Sequence, residues 1–122
     1  MIDAGEAVLY ALLAENPSYF LTSSDKRAMR TIAQQPPLAP IYTAVAGRVI
    51  CLETLLLALV KQQGVTTIDR ALTPVQPLNT VLRIAFSAQC LAQPDECLQA
   101  LTHYQQTLIS EVDASFLWQP PV

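Results

Sequence analysis

Few side chains in this sequence have the chemistry to act on a substrate or a metal. His103, in LTHYQQ, is the only histidine, and no acidic residue stands three or four positions away to orient it as a base. Nucleophilic catalysis needs a base beside its nucleophile and a group that holds the base in place. His103 therefore reads as a solvated or hydrogen-bonded helix histidine. Cys90, Cys97 and His103, with Cys51 as a fourth, offer soft metal ligands. Structural zinc sites draw cysteine pairs from tight turns, about two to four residues apart, whereas Pro94 opens a new helix between Cys90 and Cys97. The cysteines read instead as small buried apolar residues of a reduced protein.

Glu53 is the sole carboxylate set into an apolar run. Arg48 lies about 140° from it around a helix, too far for a pair within that helix. A register-setting ion pair or a snorkelling surface charge explains Glu53 better than acid–base catalysis does. Gly5, Gly47 and Gly64 are scattered and make no phosphate-cradling loop, and no Glu-x-x-His pair is present for a di-metal bundle. No catalytic residue, metal site or cofactor is predicted.

One cationic group remains. Lys26, Arg27 and Arg30 gather on one side of a predicted helix, where they could contact phosphates or an acidic segment of a partner. A net charge of −3 and a pI near 4.9 argue against a broad nucleic-acid footprint. The turn after that helix is rich in proline, unlike the tight glycine turn of a helix-turn-helix.

The elements that must position these residues are helical. The chain has 122 residues, enough for a single domain over 1–122. It is 52% apolar and only 14% charged, against about 25% charged in an ordinary globular protein. So few charges leave apolar surface for another polypeptide to cover, which predicts a homodimer or an obligate protein partner. The longest proline-free apolar run, Ile41 to Gln63, predicts a central helix over 41–63 buried by its neighbours. Arg48 and Glu53 interrupt it, so no membrane span is predicted. MIDAGEAVLY has no basic region of the kind that opens a signal peptide, which predicts a cytoplasmic protein.

In chain order, Asp3 caps a first helix with Glu6 in its opening turn, and Val8, Leu9, Leu12 and Leu13 form its apolar stripe. Asn16-Pro17 ends it, and Tyr19, Phe20 and Leu21 make an apolar connector. Ser23 or Ser24 caps a second helix to about Gln35, with Ala28, Met29, Ile32 and Ala33 facing inward. The prolines of PPLAP, 36–40, then bend the chain. Gly47 inside the central helix suggests a close helix crossing, and Gly64 stops that helix. A fourth helix over 78–92 and a fifth from Pro94 form a C-terminal hairpin over 78–113, followed by a tail over 114–122. QALTHYQQTL, residues 99–108, resembles the second helix of a tetratricopeptide repeat in Ala100, Tyr104 and Leu108. The repeat's hallmark Trp and Leu-Gly are absent, and no family membership follows.

The predicted fold is thus all-α, a compact bundle of about five helices around helix 41–63. The predicted function is a non-catalytic protein-binding module: a small helical adaptor, dedicated chaperone or immunity-type inhibitor. Tyr19, Phe20, Phe116 and Trp118 are its predicted partner contacts, because buried aromatic anchors dominate binding energy. The alternative is a nucleic-acid-associated regulator that uses Lys26, Arg27 and Arg30.

Overall fold

A computed structural model describes residues 3–120. Pro121 and Val122, the end of the predicted tail, lie outside the described residues. The protein is mostly helical: the described residues hold eight α-helices, two 3-10 turns and one short parallel sheet of two strands. They divide into two compact units, Met1–Leu52 with Thr107–Val122, and Glu53–Gln106.

The first unit opens with α1 (Ala4–Glu15), where Asp3 accepts from the Glu6 amide as N-cap. The helix stops at Asn16 because Pro17 disfavours helical geometry at the residue before it. β1 (Leu21–Ser23) follows, then α2 (Lys26–Gln34). The cap of α2 is Asp25, which accepts from the Ala28 amide, one or two residues beyond the serines expected in that role. A 3-10 turn at Pro36–Leu38 leads into α3 (Ala39–Val45). β2 (Val49–Cys51) then pairs in parallel with β1, Leu21 opposite Val49 and Ser23 opposite Cys51.

The predicted continuous helix over 41–63 is therefore corrected: it is α3, a turn, β2 and α4 (Leu52–Gln63). Gly47 explains the break. It follows the C-cap Ala46 with φ +82°, a left-handed conformation open to glycine and unfavourable for other residues. Its amide donates to the Phe116 carbonyl at 3.0 Å, so the chain leaves the helix at the point where the C-terminal segment meets it. The β-branched pair Val49-Ile50 then suits a pleated strand better than a helix. What reads as a close helix crossing is a helix stop.

The tail completes this unit. Leu117 bridges Val49 in parallel, and the Trp118 amide donates to the Val49 carbonyl at 2.7 Å. Tyr10, Leu13, Met29, Ile32, Val45, Val49, Leu108, Val112 and Phe116 form one buried cluster. The inward residues expected of α2 are confirmed: Ala28, Met29 and Ile32 are buried and Ala33 packs against them.

In the second unit α4 ends at Gly64, as expected, with φ +86°, and the Gly64 amide donates to the Val60 carbonyl. α5 (Val65–Leu72) follows. The predicted helix over 78–92 is corrected to two short ones, α6 (Thr80–Ala85) and α7 (Ala88–Ala92). Asn79 caps the first by accepting from the Leu82 amide, and Ser87 caps the second by accepting from the Cys90 amide. A serine that captures a backbone amide offers the chain a fresh start in place of continuation. α8 (Pro94–Val112) begins at the expected proline and supplies residues to both units. Gln105, which interrupts its apolar seam, donates to the buried Thr54 hydroxyl at 2.7 Å.

Candidate protein-binding surface

α1 is apolar on both sides, and this decides which residues face outward. Tyr10 and Leu13 are buried, while Val8, Leu9 and Leu12 are exposed, Val8 by 59% and Leu12 by 50%. Of the apolar stripe read in the sequence, Val8, Leu9, Leu12 and Leu13, only Leu13 enters the core. The inner face is built from Tyr10, Leu13 and the small Ala14.

The chain then turns back, so that the connector lies beside the outer face of α1. Leu9, Leu12, Leu13, Tyr19, Phe20 and Leu21 line one shallow groove of about 150 Å³. Tyr19 and Phe20 are 57% and 55% exposed. Val8, one turn before Leu12, continues the strip along the helix. Five large apolar side chains about half exposed present on the order of 500 Å². A standard interface takes about 800 Å² from each partner, a little under 60% of it apolar. The strip supplies about that much.

Arg48 fixes the connector against α1. Its guanidinium donates to the carbonyls of Leu13 (2.8 Å), Asn16 (2.8 Å), Tyr19 (2.9 Å) and Ala44 (2.7 Å). Leu13 and Ala44 lie in the last turns of α1 and α3, where the helix dipole favours a cation. The partners of Arg48 are thus backbone oxygens.

The other predicted partner contacts lie elsewhere. Phe116 is 0% exposed and stacks on Tyr42 with ring centroids 5.3 Å apart, so its surface is occupied within its own unit. Trp118 is half-buried. Of the basic set, Arg27 is exposed and Lys26 half-buried. Arg30 pairs with Glu111, whose backbone carbonyl also accepts from Gln34, which ties α2 to the end of α8.

Among the described residues no group of three or more His, Cys, Asp or Glu side chains is placed to hold a metal ion. Cys51 and Cys97 are buried and Cys90 is half-buried. Burial pushes the Cys97 thiol up to about 11, with Cys90 and Asp69 adding to the shift. His103 is exposed and meets Tyr104 edge to face. Glu53 is 1% exposed in the first turn of α4, where the helix dipole favours a carboxylate. The snorkelling surface charge expected of it is thereby corrected. No described helix is long and apolar enough to cross a membrane.

No family model, curated protein or solved structure matches the chain.

Val8, Leu9 and Leu12 are the surface residues that sequence reasoning misses. The available signal is that α1 carries apolar residues at more positions than one buried face can accept.

Proposed function

We propose that this chain is a non-catalytic protein-binding module that captures another polypeptide on the outer face of α1 and the Tyr19–Phe20 connector. The observation that carries the proposal is the exposure of Leu9, Leu12, Tyr19 and Phe20 around one groove. Apolar side chains scattered singly over a surface need no explanation, but a contiguous strip of this size marks an interaction site. The tethering of Tyr19 by Arg48 supports it further, because a preordered contact residue loses less entropy on binding. Adaptors, dedicated chaperones and immunity-type inhibitors all fit this description. A second copy of the chain is the occupant that composition by itself suggests. The alternative of a nucleic-acid regulator is less favoured, because Arg30 is already engaged by Glu111.

A photo-crosslinking amino acid at position 20, compared with one at position 27, tests the proposal in the source cells. A polypeptide adduct at position 20 that Leu12→Asp abolishes is the expected result. Adducts to nucleic acid at position 27, with none at position 20, would replace the proposal with the regulator.

A further inference from the structure

The two-stranded sheet has one covered edge and one open edge. On the covered side of β2 the Trp118 amide donates to the Val49 carbonyl, and Leu117 bridges Val49. On the other side β1 has no further strand beside it among the described residues. In a parallel pair each strand turns the amide and carbonyl of alternate residues toward its neighbour. The Leu21 amide donates to the Arg48 carbonyl at 3.0 Å, and Leu21 lies opposite Val49. Leu21 and Ser23 therefore face β2. The backbone groups of Thr22 face outward, and the same alternation turns those of Phe20 and Ser24 outward on either side of it.

Charge, proline and bulges are the devices with which natural edge strands repel pairing. None is present here. Tyr19 to Ser24 holds no charged residue and no proline, and β1 runs in continuous register with β2. Phe20, Thr22 and Ser24 are all exposed. The shortness of β1 is the remaining guard, so backbone pairing by itself would be weak. The groove of Leu9, Leu12 and Phe20 adjoins the same edge, however, so the open backbone and the apolar strip meet at Phe20 as one surface.

We propose that this face is completed by a second copy of the chain, β1 pairing antiparallel with its own counterpart across a two-fold axis at Thr22 and the adjoining apolar strip buried in the same contact. The inference rests on the protein-binding function proposed above and names the partner. In an antiparallel hydrogen-bonded pair the two residues exchange both N–H···O bonds. A residue on the two-fold axis therefore satisfies itself, Thr22 of one copy donating to and accepting from Thr22 of the other, with Phe20 opposite Ser24. An isologous contact sets each patch against its own copy, which a segment without charges tolerates. The strip presents on the order of 500 Å² of apolar surface per copy, close to the apolar share of the about 800 Å² that each subunit gives a standard interface. An extended segment of another protein is the competing occupant. It needs an exposed strand of its own, whereas a second copy brings the matching edge and strip with it.

Sedimentation of the full chain at micromolar concentration reads the association, and a dimer is expected. Thr22→Pro removes an outward N–H, a change that an edge strand tolerates, and Phe20→Ser removes apolar area. Each should raise the dimer dissociation constant at least about tenfold. Thr22→Cys in a Cys90→Ser background tests the register, Cys51 and Cys97 being buried. On the two-fold axis the paired Cα atoms stand about 5.5 Å apart, within disulfide reach, so copper phenanthroline should link two copies. Ser24→Cys sets them about 14 Å apart and should give no link.

A monomeric chain that still gives adducts to other polypeptides at position 20 would overturn the second copy and leave the protein-binding proposal standing. A dimer that Phe20→Ser dissociates, with Thr22→Pro neutral and no Thr22→Cys link, would overturn the strand pairing and likewise keep the strip as a binding surface. A dimer indifferent to both substitutions would overturn the inference outright. A monomer with no adduct at position 20 would overturn both proposals. Circular dichroism verifies that each variant is folded, and should Thr22→Pro not fold, the cysteine link decides.

Discussion

The Arg48 guanidinium donates to the Tyr19 carbonyl at 2.9 Å, so a cation just beyond the Gly47 turn holds the backbone of the proposed binding connector. The same group reaches Leu13 in α1 and Ala44 in α3. Removing it leaves three helix-end or connector carbonyls without this donor and a fourth, that of Asn16, as well. Arg48→Met keeps much of the apolar stem and deletes the donors. It is expected to destabilise the protein by about 3 kcal/mol, the scale of losing several bonds to one charged group. Urea unfolding measures the loss. Hydrogen exchange should show faster exchange over residues 16–21 than over α2.

Gly47 sits at φ +82° with open space where a side chain would go. The cost of Gly47→Ala is therefore conformational and not a clash. A destabilisation of about 1–2 kcal/mol is expected, with the helical content by circular dichroism unchanged. A gain in helical content would instead mean that α3 and α4 had fused.

The contrast between Gly47 and Asp3 shows what can be read from sequence. Asp3, Pro17, Gly64 and Pro94 act through local backbone chemistry, and each marks a boundary where its residue type predicts one. Gly47 also acts locally. However, its role depends on Phe116, nearly seventy positions away, whose carbonyl receives its amide. The pairing of Val49–Cys51 with Leu21–Ser23 is non-local in the same way, and three residues are too few for strand alternation to show. The mostly helical character is legible because periodicity is local. The outward face of α1 is not, because Val8, Leu9 and Leu12 are as apolar as Leu13, and only the packing of Tyr10 and Leu13 decides which side turns in. Tyr19 and Phe20 are legible as an aromatic connector. Phe116 has the same composition signal but is taken up by the core.

Glu6 has a raised pKa, caused first by burial and then by Asp25 and Asp3, against an ordinary value of 4.5. The folded state therefore holds this proton more tightly than the unfolded chain. The stability linked to Glu6 is complete below about 4.5 and is lost as pH rises through the raised folded value. Glu6→Gln should accordingly raise the Tm at pH 7, and the gain should vanish in thermal scans below about pH 4. A variant that melts lower at pH 7 would show that the carboxylate is stabilised after all.

Cys97 is fully buried, and its thiol is pushed up to about 11. At pH 8 only about one molecule in a thousand carries the reactive thiolate there. Under native conditions iodoacetamide should modify half-buried Cys90 first. Cys97 should react only on the timescale of unfolding. Mass spectrometry of tryptic fragments over a time course reads the order, and early labelling of Cys97 would show that α8 opens locally.

The central claim is that the outer face of α1 and the connector form the binding surface, and amide chemical-shift mapping tests it most directly. On titration of the isotopically labelled chain with a synthetic leucine-striped amphipathic peptide, the largest changes are predicted at Val8–Leu12 and Tyr19–Leu21. Changes centred on Lys26–Arg30, or spread evenly with none at those two segments, would contradict it.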